Sequence, residues 1–135
     1  MQMFKLDHGW ELAVPDGWIM ENQEIGSYIF YPPDPEDTTT LYASVIHSEH
    51  QKMKVPEYMM QETFERSIPA NAQGVSIITS VHCKAFFLLS ADGTYRVGAG
   101  FFTDGELLSL NVYASSEEKV REVAAGFGQV KLERG

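Results

Sequence analysis

His47-Ser48-Glu49-His50 is the closest approach in this sequence to a metal clip. Imidazole and carboxylate are donors that zinc accepts, and on a helix His-x-x-His brings both rings to one face. Here the segment leaves an apolar stretch and runs into Gln51, Lys52 and Lys54, with no third donor nearby in sequence. Catalytic zinc takes three protein ligands, so His47 and His50 read as solvated loop histidines, with no metal and no cofactor. His82-Cys83 raises thiolate–imidazole chemistry. Neighbours on a strand point to opposite faces, however, and a nucleophilic thiol needs its base within reach in an electropositive pocket. Cys83, expected opposite Phe102 on a covered sheet face, reads as structural and unreactive. Counting from Asp34, an EF-hand would need Gly at Thr39 and Glu at Val45, so Asp34-Pro35-Glu36-Asp37 is not a calcium loop. Gly98-Ala99-Gly100 has Thr103 where a dinucleotide fingerprint has its last glycine, and it opens no helix. No catalytic residue emerges, and an enzyme is not expected.

The paired glycines still need a reason, because glycine inside a strand marks close approach of another backbone or a ligand. Gly98 and Gly100 share a face and would floor a bare trough walled by Arg96, Phe87, Phe102, Ser109, Asn111 and Tyr113. Either a helix over residues 56–67 seats there, or the trough binds a small ligand or peptide. In the second case Arg96 anchors an anion, Asn111 orients it, and Ser109 and Tyr113 line the cleft.

The positioning elements follow from periodicity. Phe4 and Leu6, then Trp10, Leu12 and Val14, predict two short strands around His8-Gly9. Strands are expected over 25–31 and 41–47. Pro56 and Glu57 open a helix whose Met60/Phe64 pair has i, i+4 spacing. Asp92-Gly93 and Asp104-Gly105 lie between alternating apolar runs and predict two-residue hairpin loops. Ala91 then opposes Thr94, and Thr103 opposes Glu106. That register groups Tyr95, Val97, Ala99 and Phe101 with Phe86, Leu88, Leu108, Leu110 and Val112 on one core face. The other face carries Cys83, Ala85, Phe87, Leu89 and the glycines. Ser115, three residues before Glu118, has capping-box spacing ahead of a C-terminal helix with Val120, Val123, Ala124 and Phe127 inward. The fold expected is α/β of the α+β type: a mostly antiparallel sheet with helices covering both faces, an α/β/α sandwich, in one domain over 1–135.

In element order the chain resembles the PsbP-like α/β/α sandwich family. The resemblance is carried by Val14-Pro15-Asp16-Gly17-Trp18 and by residues 95–127. In that block an aromatic-rich strand passes through Thr103-Asp104-Gly105-Glu106 to a second strand and a helix. The family includes a photosystem extrinsic subunit, a small Ran-binding protein and bacterial proteins without assigned activity. The resemblance implies a binding or scaffolding module, and no position here matches a functional residue of either characterised branch.

Charge narrows the partner. Ten Lys plus Arg against nineteen Asp plus Glu give −9, and residues 1–40 hold eight acids and one base. Such a field repels phosphate backbones and anionic lipid, so neither nucleic acid nor membrane is expected. One cysteine, no signal-peptide pattern and no long apolar run suit a cytoplasmic protein, a monomer or weak dimer. The acidic first third reads as a docking surface for a basic protein. Glu11, Asp16 and Glu21 are its carboxylates, with Trp18 (and Trp10, if exposed) as aromatic contact.

Overall fold

The computed structural model describes residues 1–133. Along the chain run β1 (Gln2–Lys5), β2 (Trp10–Val14), β3 (Ile19–Glu24), β4 (Ser27–Tyr31) and β5 (Thr40–His47). A small hairpin of β6 (Glu49–His50) and β7 (Met53–Lys54) leads to helix α1 (Glu57–Glu65). Then come β8 (Gln73–Val75), β9 (His82–Leu89), β10 (Tyr95–Thr103), β11 (Glu106–Ala114), helix α2 (Glu117–Ala124) and β12 (Lys131–Leu132). Seven strands form one sheet in the order β3-β4-β5-β11-β10-β9-β8, and β1-β2-β12 form a smaller one. Every pairing among the described residues is antiparallel, so the class is α+β.

Alternation along β10 and β11 explains why the large sheet is apolar on both sides. Val97, Ala99, Phe101, Leu108, Leu110 and Val112 belong to a main core with Trp10, Leu12, Phe30, Leu41, Val120, Val123 and Phe127. Residues of opposite parity, Phe102 and Leu107, join Phe86, Met60 and Phe64 in a second cluster. Burying a side chain of this size contributes roughly 1.5–3 kcal/mol, so α1, with only Met60 and Phe64 buried, is held chiefly by those two. Lys84 Nζ pairs with Glu65 at the helix end.

The β10–β11 register matches the expected one, with Thr103 opposite Glu106. The β9–β10 register differs by one residue: Leu89, not Ser90, opposes Tyr95. Ser90 N–H donates to Thr94 O and Gly93 N–H to Ser90 O, while Gly93, not Asp92, takes a positive φ. This is the three-residue loop of a type I turn closed by a bulge, one residue longer than the type I′ loop. A slip of one transfers a whole strand to the other face. Phe86 and Leu88 therefore pack in the α1 cluster, and Cys83, Ala85 and Phe87 in the main core.

Three smaller expectations also change. α1 is confined to Glu57–Glu65 within the expected 56–67. Ser116, not Ser115, caps α2, its hydroxyl accepting from Lys119 N–H at 3.1 Å. Strand β3 was not expected, because Ile-Met-Glu-Asn-Gln-Glu has no alternation, and all six of its residues are exposed. Among the described residues, no helix is long and apolar enough to cross a membrane.

Candidate functional site

Gly98 and Gly100 face α1, and no open trough remains above them. A Cβ at Gly98 would lie 2.4 Å from Phe86 Cζ, and one at Gly100 would lie 2.8 Å from the Phe64 ring. The glycines admit two aromatic rings to the sheet, which corrects the expected cleft. Phe87, expected as a wall, is on the opposite face, where the Arg121 guanidinium lies 4.6 Å from its ring centre. Arg96 is also engaged: its Nε and Nη2 donate to Asn111 Oδ1 at 3.0 and 2.8 Å. Its guanidinium lies over the rings of Phe86 and Tyr113. Asn111 Nδ2 reaches Ser109 Oγ at 3.5 Å. Beside this cluster an open cleft of 430 Å³ is lined by Thr40, Tyr42, Asn111 and Tyr113. Of the ligand-binding residues expected, Asn111 and Tyr113 thus border free space, while Gly98 and Gly100 are covered.

The acidic residues divide between two places. Glu11 is on β2 in the smaller sheet, opposite Lys5 on one side and Lys131 on the other. Asp16 and Glu21 are exposed, on the turn before β3 and on β3 itself. Trp18, between them, is half-buried against the main core, and Trp10 is fully buried within it. The Tyr31 hydroxyl donates to Glu21 Oε1 at 2.7 Å, and this bond raises the phenol above its ordinary range. Ile19, Met20 and Ile25 are exposed along the same segment, beside Asp16, Glu21 and Glu24.

A third grouping escaped the sequence reading. His8, His47 and Glu106 place their donor atoms within 4.8 Å of one another. His47 ends β5 and is the register partner of Glu106, which opens β11. His8 lies in the 3-10 turn Asp7–Gly9 between β1 and β2, with φ 63° and ψ 22°. That turn is pinned to the sheet: Asp7 Oδ2 accepts from Gly26 N–H, and Asp7 N–H donates to the Tyr28 hydroxyl. Gly26 O in turn accepts from Val45 N–H on β5. His8 Nδ1 is thereby held 2.9 Å from Glu106 Oε1, and the two imidazole centres are 5.5 Å apart. The absence of a third donor near His47 in sequence does not hold in space. One clue was present: by parity from Leu108 and Leu110, Glu106 falls on the face assigned to the core, where a carboxylate calls for a partner.

The comparisons with known proteins bear on the scaffold. No family profile and no curated protein matches the sequence. A solved structure from Bacteroides thetaiotaomicron aligns over 93% of this chain with TM-score 0.53 and 18% identity, and this chain spans about half (46%) of its length. The solution structure of cyanobacterial PsbP (CyanoP) from Synechocystis aligns over 98% of this chain and 92% of its own, with TM-score 0.60 and 12% identity. The fold is PsbP-like. At these identities the likeness is one of fold alone, and function has to be argued from the sites.

Within this PsbP-like sheet Cys83 opposes Phe101, rather than the expected Phe102. Desolvation by burial pushes its thiol up to about 12. His82 Nδ1 meets Glu57 Oε1 at 3.5 Å instead. The thiolate is the reactive form and is scarce at neutral pH, so native protein is expected to label slowly with an Ellman-type reagent and rapidly once denatured. Fast stoichiometric labelling of the native chain would contradict the structural assignment of this half-buried thiol.

Proposed function

We propose that this chain is a single-domain, non-catalytic interaction module of the cytoplasm that docks a basic protein segment along the acidic edge at β3. We read its scaffold as an α/β/α sandwich, a reading supported by the seat of Phe64 on Gly100 and by the place of Val120 and Val123 in the other cluster. The observation that carries the functional reading is β3 itself: six exposed residues at the end of the strand order, bearing Ile19, Met20, Glu21 and Glu24. An edge strand offers a row of backbone donors and acceptors that an extended segment can pair with. Carboxylates flanking exposed apolar side chains then select for lysine and arginine in that segment.

Steering by exposed charge acts on encounter and is screened over about 10 Å at 0.1 M salt. A peptide alternating lysine and valine is therefore expected to associate more slowly as salt rises. Reversal of Asp16, Glu21 and Glu24 to lysine should lower its association rate by about tenfold or more. Glu11→Lys, on the other sheet, should have little effect. Surface-plasmon kinetics read both rates. Binding indifferent to salt and to the triple reversal would exclude docking at β3.

A further inference from the structure

We propose that His8, His47 and Glu106 form a binding site for a divalent transition-metal ion of the zinc type. Two imidazoles and a carboxylate are a donor set found at zinc sites that keep a position open. They converge from the 3-10 turn, the end of β5 and the start of β11, with all three donor atoms within 4.8 Å of one another. A tetrahedral ion with bonds of 2.0–2.1 Å needs donors about 3.4 Å apart. The His8–Glu106 pair, at 2.9 Å, is already near that spacing. His47 lies at the exposed end of its strand with 39% of its side chain accessible, so a modest rotation of its ring closes the set.

Burial holds Glu106 in place: its side chain is 2% exposed, on the face that continues through Leu108, Leu110 and Val112 of the main core. Glu49 Oε1, 3.2 Å from His47 Nε2, stands where a carboxylate typically orients a metal-bound imidazole. His8 is 48% exposed, which gives an ion a route in and leaves room for water at a fourth position. Its left-handed backbone, strained for a non-glycine residue, is maintained by the bonds from Asp7 to Gly26 and Tyr28. Backbone strain of this kind concentrates at ligand sites. No residue of β3 belongs to this site.

The test is titration of zinc chloride into chelator-treated protein against a chromophoric indicator, repeated with cobalt(II) chloride to read the visible band of a four-coordinate ion. One ion per chain is expected, with the four-coordinate cobalt spectrum. Zinc should also raise the thermal midpoint of the wild-type chain. Loss of an outer partner costs about 10–100-fold in metal affinity, so Glu49→Gln should fall in that range, and His8→Ala and His47→Ala should each exceed it. His50→Ala and His82→Ala should bind as wild type. Glu106→Gln removes a buried group and can unfold the chain, so the decision rests on the two exposed histidines, each variant checked by circular dichroism. Lack of stoichiometric binding at millimolar zinc would overturn the site, and so would binding that survives both His8→Ala and His47→Ala. A loss of binding confined to His50→Ala or His82→Ala would overturn it too.

Discussion

Phe64→Ala is expected to destabilise the chain by about 3–5 kcal/mol, the usual cost of truncating a buried phenylalanine. Phe64 is buried, packs edge-on to Phe102 and tilted to Phe86, and lies where a Gly100 side chain would be. Glycine below and aromatic rings beside it leave no nearby group able to collapse into the space, which places the loss toward the upper end. Urea unfolding should show a lower midpoint with an unchanged slope. The truncation also opens an apolar void over Gly100, and such voids stay dry and accept small apolar ligands. Benzene should therefore raise the thermal midpoint of the variant and leave the wild type unaffected. A loss below about 1 kcal/mol, with no response to benzene, would mean that α1 is not seated on Gly100.

Gly105→Val is the second large effect, expected at about 1–3 kcal/mol from backbone strain alone. Gly105 turns the β10–β11 hairpin with φ 79°, whereas Asp104 has no positive φ. A β-branched residue resists that conformation. A Cβ there would also meet the Lys54 side chain at 3.0–3.3 Å. Gly105 N–H donates to Val55 O at 2.6 Å, and its carbonyl accepts from Ser48 N–H at 2.7 Å. The β6–β7 hairpin is docked on this turn, so its amides should lose hydrogen-exchange protection in the variant. Gly105→Ala, with less bulk but the same φ, should be milder. A valine variant that melts with the wild type would remove the turn geometry and the β11 register with it.

Much of the scaffold was legible because its signals are local. Asp104-Gly105 set the β10–β11 register, and the period of Val120, Val123 and Phe127 gave the buried side of the C-terminal segment. The β9 register was misread because Asp-Gly serves both two- and three-residue loops, and the difference lies in whether Asp92 or only Gly93 adopts positive φ. Strand β3 was invisible because an exposed edge strand need not alternate. The glycines are a place of close approach, and the helix seat was one of the two occupants expected, but Phe86 reaches Gly98 only through the β9 slip. Among the acidic residues, spacing grouped Glu11 with Asp16 and Glu21, whereas strand pairing sends it to the smaller sheet between two lysines. His8, His47 and Glu106 lay beyond local reading altogether, because only the β5–β11 pairing and the pinned 3-10 turn bring them together.

That β5–β11 pairing sets the order in which the molecule can assemble. It joins residues 59 apart at His47 and Glu106, and 73 apart at Thr40 and Tyr113, whereas β3–β4–β5 and β9–β10–β11 are successive hairpins. Each meander can form from neighbouring chain in microseconds, but the seam between them must first close a long loop. During synthesis, β5 remains an uncovered edge until β11 has left the ribosome. The smaller sheet waits longer still, since β2 acquires β12 from the far end of the chain. Leu41 and Ala43, paired with β4 on one side, therefore keep their other edge uncovered until β11 emerges, the interval in which holding chaperones would matter most.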